Sequence, residues 1–203
     1  MRAIFIASQT IPPTPAGARA RGGVTVSCQP FGLSPHWPSV DPLEPPDSIH
    51  LEAAVGWIEL GNHEEADEEL DKIEATLRVH PNVLEVRWII HAKVQHWELC
   101  KDIGNTLVKL APERTTGWIH RSFALHELKL TQEAYDALKP ALDTFKDEQL
   151  IWYNMACYAC VLGNKTEARE LLDKAIELGG DAVKVQALND PDLLGVWGGK
   201  RKD

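Results

Sequence analysis

The chain is poor in sulfur, with two methionines and four cysteines in 203 residues. Four thiols in a chain of this length do not make a disulfide framework. A packed core must hold the fold, and the cytoplasm is the expected location. No apolar run approaches the roughly eighteen residues that mark a membrane-spanning helix. The opening Ala3-Ile4-Phe5-Ile6-Ala7 is too short for the apolar part of a secretory signal, and prolines follow at once. Positive charge is also in short supply. The net charge is −9, from 21 Lys and Arg against 30 Asp and Glu, whereas a nucleic-acid binder needs a basic face for phosphates. No Gly-rich phosphate loop, nucleophile elbow or paired-acid constellation occurs. The eight histidines are scattered, without a His-x-x-x-His flanking a glutamate. Neither catalysis, nor a cofactor, nor a metal is expected.

What is present is unevenly spread. Nine of the 13 prolines fall in residues 1–46, and no helical or alternating apolar pattern lasts ten residues there. Such a segment cannot bury enough surface to offset its ordering entropy and is expected to be disordered. Pro12-x-x-Pro15, Pro35-x-x-Pro38 and Pro42-x-x-Pro45 each have the spacing of a polyproline ligand. A translation start downstream, for instance at Val40, would leave residues 1–39 outside the native protein; mass spectrometry of its N-terminus decides that. The charged residues of this segment are Arg2, Arg19, Arg21, Asp41 and Glu44, so the acidity of the chain falls on the remainder.

From Asp47 onward apolar residues recur at three and four spacing, the period of helices. A longer period lies over it. Trp118 and Trp152 are 34 residues apart, and equal steps back reach Leu84 and His50. Sixteen residues after these anchors stand Ala66, Cys100, Ala134 and Ala168, all small; twenty after stand Leu70, Gly104, Leu138 and Leu172. Twenty-three after stand Ile73, Leu107, Ala141 and Ala175. Four after stand Ala54, Trp88, Ser122 and Ala156. Eleven after stand Gly61, Gln95, Lys129 and Gly163, where the chain must turn. Each unit reads as helix, turn, helix, with small residues where the two helices cross. In the first unit the second helix is expected over Glu64–Val79. In the fourth, Trp152–Leu162 and Glu167–Leu178 are the two helices, and Gly179-Gly180 stops the second.

This pattern resembles the tetratricopeptide repeat. The fourth unit carries it through Trp152, Ala156, Gly163, Ala168, Leu172 and Ala175, and the third through Trp118, Ala134, Tyr135, Leu138 and Ala141. Leu110-Ala111-Pro112 looks like the family's closing apolar-x-Pro. Gly104 stands where a large residue is expected, Trp88 replaces a small one, and Pro140 falls inside a helix, where it should kink it. The fold class expected is all-α: a right-handed superhelical stack of about four such repeats over residues 47–180. Residues 181–197 are expected to cap it, with Leu188, Leu193, Leu194 and Trp197 docking on the fourth unit. Lys200-Arg201-Lys202 lies in a solvated basic tail, residues 198–203.

By analogy with the family, the first helices line a concave groove that holds a partner peptide or helix. Helical spacing projects Leu51, Val55, Ile58 and Glu59 of the first unit into it, then Asn82, Glu85, Ile89 and Lys93 of the second. The third offers Thr116, Ile119, Phe123, His126 and Glu127, and the fourth Leu150, Tyr153, Cys157, Cys160 and Val161. So continuous an apolar stripe suits an apolar or amphipathic segment; the competing reading is a groove covered by the chain's own ends. A known variant of the family clamps a C-terminal carboxylate with cations. Here the matching positions hold Leu51, Val55, Val86, Thr116 and His120, which cannot.

Three further features carry chemistry in principle. Cys157-x-x-Cys160 has metal-like or redox-like spacing, but it is mid-helix and has no second cysteine pair; it reads first as two small apolar residues. Arg87 and Arg121 share a column and, with His120, form a candidate anion site. The alternative is ion pairing between units with acids such as Glu98 or Asp136. Glu64, Glu65, Asp67, Glu68 and Glu69 form a charge run expected to be solvated. The apolar groove or exposed ends could also pair two copies. The reading is a non-catalytic interaction scaffold for a protein or peptide partner, with no nucleic acid and no membrane. A thiol or metal protein using Cys157 and Cys160 is the alternative.

Overall fold

The computed structural model describes residues 42–198. The expected disorder up to residue 41, with its first two Pro-x-x-Pro motifs, and the basic tail from residue 199 lie outside the described residues. Ordered structure begins ahead of Asp47, because Leu43 is buried against the first unit. Among the described residues every regular element is helical. The first unit pairs α1 (Asp47–Glu59) with α2 (His63–Lys72), and the second pairs α3 (Pro81–Lys93) with α4 (Trp97–Leu110). The third pairs α5 (Thr115–Glu127) with α6 (Thr131–Leu138) and the short α7 (Ala141–Thr144). The fourth pairs α8 (Gln149–Val161) with α9 (Lys165–Asn189), after which Pro191–Leu193 forms a 3-10 turn. No helix among the described residues is long and apolar enough to cross a membrane.

The turn column repeats in atomic detail. Gly61, Gln95, Lys129 and Gly163 all have positive φ, at 82°, 61°, 67° and 90°. The next amide in each unit reaches back five residues: Asn62 to Trp57, His96 to His91, Leu130 to Leu125, Asn164 to Ala159, at 2.9–3.0 Å. This is one helix-terminating motif used four times. Glycine adopts that backbone freely, but Gln95 and Lys129 do so against their Cβ. Gln95→Gly and Lys129→Gly are therefore expected to stabilise the chain by about 0.5–1 kcal/mol each, read as a higher melting temperature; an unchanged or lower melting temperature would show the turns to be unstrained.

The small and large columns are buried throughout. Ala66, Cys100, Ala134 and Ala168 lie at the helix crossings, and Leu70, Leu138 and Leu172 fill the interior beside them. The anchor tryptophans are held alike: the Nε1 of Trp118 donates to Pro112 O and that of Trp152 to Lys146 O, at 3.0 and 2.9 Å. Pro140 splits the third unit's second helix into α6 and α7, as a residue without an amide hydrogen must. Gly180, at φ 67° and ψ −156°, breaks the run of α9 into the fourth unit's second helix and a capping helix. The largest boundary difference from the sequence pattern lies in α2, beside shifts of two or three residues at the starts of α8 and α9. The helix expected to reach Val79 ends at Lys72, because side chains take over its terminus: Asp47 Oδ1 accepts from Glu74 N at 2.7 Å, and Arg78 donates to the carbonyls of Asp71 and Ile73.

The two exceptions of the second unit compensate each other. Trp88 is fully buried and stacks on His120 of α5, ring centroids 3.9 Å apart and planes within 4°. Gly104 lets α5 come close, since a Cβ built there would stand 2.7 Å from the Arg121 Cα. A large residue on α3 and a bare backbone on α4 together seat α5.

Candidate functional site

Successive first helices α1, α3, α5 and α8 pack on one another, and each second helix packs on the first helix that follows it. The first helices thus form one continuous layer, the wall that carries the projected groove positions. Its two halves are in different states.

In the first half, Leu51 is buried in the first unit's core, while Val55 and Ile58 of α1 and Ile89 of α3 are half-buried. Glu59 and Lys93 are exposed beside them. Asn82 and Glu85 are tied to the next unit: Arg114 donates to Asn82 Oδ1 at 2.6 Å and lies 3.4 Å from Glu85 Oε1, which also accepts from Thr116 Oγ1 at 2.6 Å. Ile119 is buried. Phe123 is half-buried, its ring edge-on to Trp88 and Trp97 at 6.3 and 5.8 Å. Farther along the wall, in the third and fourth units, Glu127 and Leu150 are half-buried and Val161 is exposed.

In the second half the chain covers its own wall. His126, Tyr153, Cys157 and Cys160 are buried, and the segment after α9 lies over them. Asp190 Oδ2 accepts from the Tyr153 hydroxyl at 2.7 Å and faces Cys157 Sγ at 3.8 Å. Asp192 Oδ2 stands 3.1 Å from His126 Nε2, whose Nδ1 is 3.1 Å from Thr131 Oγ1. Leu193 is fully buried, and Arg169 donates to Val196 O at 2.9 Å while covering the Trp197 ring. The capping residues differ in part from the expected set: Leu188 is exposed, and Val183, Ala187 and Val196 are buried instead. In the sequence Asp190 and Asp192 belong only to the expected cap, Asp190 at the break of its helix and Asp192 at the start of a final turn. The signal for more was two carboxylates flanking Pro191 in a segment that has to fold back.

The candidate anion residues are engaged separately. Arg87 reaches back to α2, its guanidinium 3.3 Å from Asp67 and 2.8 Å from Asp71. This is an ion pair between units, with different acids from Glu98 and Asp136. Asp67 is thereby drawn out of the solvated charge run, and Glu69 pairs with His50 and Lys72. Arg121 reaches the other way, donating to Ala137 O at 2.6 Å and lying over the Trp118 ring. His120 is buried against Trp88, and burial pushes its pKa down to about 3, so it carries no charge at neutral pH.

Thiol chemistry is poorly served. Burial first, then the carboxylates of Asp190 and Asp192, push the Cys157 thiol well above its ordinary range, and burial takes Cys100 up to about 12. A protonated thiol is neither nucleophile nor metal ligand. Among the described residues no group of three His, Cys, Asp or Glu is placed to hold a metal.

Solved structures share this architecture. MamA 41-end from Desulfovibrio magneticus RS-1 superposes with a TM-score of 0.59 at 14% identity, covering 75% of this chain and 90% of that one. The MamA MSR-1 structure gives 0.56 at 21%, covering 67% and 78%. YrrB, described as a TPR protein with an unusual peptide-binding site, gives 0.57 at 16%, covering 70% and 74%. No protein-family model matches the chain, and no curated protein sequence does. The chain has the tetratricopeptide-repeat fold, an all-α stack of repeats.

Proposed function

We propose that the chain is a non-catalytic interaction scaffold that takes an apolar or amphipathic segment of a partner protein against the open half of its inner wall. The observation that carries this reading is the contrast along the wall. Val55, Ile58, Ile89 and, in the third unit, Phe123 stay half-buried beside Glu59 and Lys93, whereas the later equivalents His126, Cys157 and Cys160 are buried under the chain's own segment after α9. Each apolar anchor buried on binding contributes about 1–3 kcal/mol, so three on a preformed surface suit micromolar affinity once association costs are met. The peptide-binding site named for YrrB, a structure of the same fold, supports a peptide as the partner's form.

Selecting from a displayed peptide library on the full chain tests this. Enriched peptides are expected to be apolar or amphipathic, and Ile58→Glu with Ile89→Glu is expected to weaken them at least tenfold while leaving the thermal melt cooperative. Peptides that bind the double variant equally well would remove the reading. Elution as a stable dimer with Ile58 and Ile89 at its interface would replace the partner with a second copy.

A further inference from the structure

A repeat stack needs a cap only to hide its last apolar face, and apolar residues suffice for that. Val183 and Ala187 of the capping helix are buried in the fourth unit's core. The segment that follows does something else. It leaves the stack's end, folds onto the inner wall, and inserts two carboxylates among wall side chains. Asp190 takes the Tyr153 hydroxyl and Asp192 the His126 ring. Asp190 Oδ1 accepts from Asp192 N at 2.9 Å, which fixes the turn between them. Leu193 is fully buried beyond the acids, and Gly195 runs so close to the wall that a Cβ would stand 2.9 Å from Cys160 Sγ. Polar side chains meeting polar side chains, an aliphatic anchor and close backbone contact are the marks of a recognised ligand.

We propose that residues 190–197 are an internal ligand. The wall of the third and fourth units is a recognition site for an acidic–aliphatic turn, two carboxylates flanking proline and followed by leucine, held in cis here and open to a partner chain presenting the same chemistry. This rests on the inner wall being a binding surface and names the chemistry its covered half selects. The tether sets the competition. A segment joined by a short linker acts at an effective concentration of about millimolar, and an outside ligand sees its affinity reduced by the fraction of molecules whose wall is free. A partner therefore binds weakly unless something lifts the turn.

The test uses the full chain and a fluorescent synthetic peptide copying residues 188–198. Asp190→Asn with Asp192→Asn loosens the turn through its acids, and Leu193→Asp does so through its anchor. Either variant is expected to bind the peptide at least tenfold more tightly than the unaltered chain. Changing both aspartates of the peptide to asparagine, or adding Tyr153→Phe to the loosened chain, is expected to cost at least tenfold. Loosened variants that melt cooperatively yet bind no better than the unaltered chain would overturn the proposal, as would equal binding of a scrambled peptide. Should the variants fail to fold, hydrogen exchange on the unaltered chain decides: saturating peptide must speed exchange across residues 190–197, and unchanged protection refutes displacement. Dimers exchanging the turn without taking up peptide would make the occupant a second copy, which also overturns it. Dependence on Tyr153 here and on Ile58 and Ile89 above are read separately, so either reading fails alone.

Discussion

Gly104→Leu is expected to unfold the junction between the second and third units, although leucine is what the other three units carry in that column. The column's Leu70, Leu138 and Leu172 fill the interior of their units. At Gly104 a first added carbon already meets backbone, 2.7 Å from both the N and the Cα of Arg121, and backbone cannot rotate away as a side-chain tip can. Overpacking of this kind costs about 1–3 kcal/mol for a methyl group, against a gain of about 1 kcal/mol from removing glycine from a helix. Gly104→Ala should therefore lower the melting temperature by a few degrees, and Gly104→Leu should lower it much further or abolish the cooperative transition. Gly56 of α1 supplies the control: nothing lies within 4 Å of its would-be Cβ, so Gly56→Ala should stabilise by about 0.5–1 kcal/mol. A tolerated Gly104→Leu would mean that α4 and α5 are not in backbone contact.

Acid is expected to destabilise the chain through His120. Burial lowers its folded pKa to about 3, while the unfolded side chain titrates near 6.5. Between those values the unfolded chain binds a proton that the folded chain does not, so stability rises with pH across the window and is lost as pH falls from about 6.5 toward 3. At pH 5 the loss from this residue is about 2 kcal/mol relative to neutral pH. His120→Phe keeps a ring against Trp88 and removes the proton site. Its denaturant midpoint should vary less between pH 7 and pH 5 than that of the unaltered chain. Some slope should persist from His91, whose pKa burial also lowers. Equal slopes in both proteins would place the acid sensitivity elsewhere.

The repeat architecture was legible because its causes are local. Helical period, a small residue at each crossing, and a left-handed residue at each turn are all written within one 34-residue unit, and four copies make the frame visible. Even the exceptions announced themselves: Pro140 and Gly180 break helices where their backbone chemistry says they must. What could not be read depends on contacts between distant segments. α2 stops early because Asp47, 27 residues away, takes the Glu74 amide. The wall positions could be projected onto helix faces, but which of them stay open is decided by Asp192 meeting His126, 66 residues away. His120 looked like part of a charged site because sequence does not show that it lies under Trp88, where burial removes its charge.

The fit of Trp88 on His120, and of Gly104 beneath the Arg121 backbone, has an engineering consequence. Solenoids are commonly lengthened or trimmed by moving whole modules, on the premise that every seam is alike. Here the seam ahead of α5 is keyed from both sides, so any shuffling scheme has to carry the middle two modules as one block. Cuts at the seams ahead of α3 or α8 do not separate these partners.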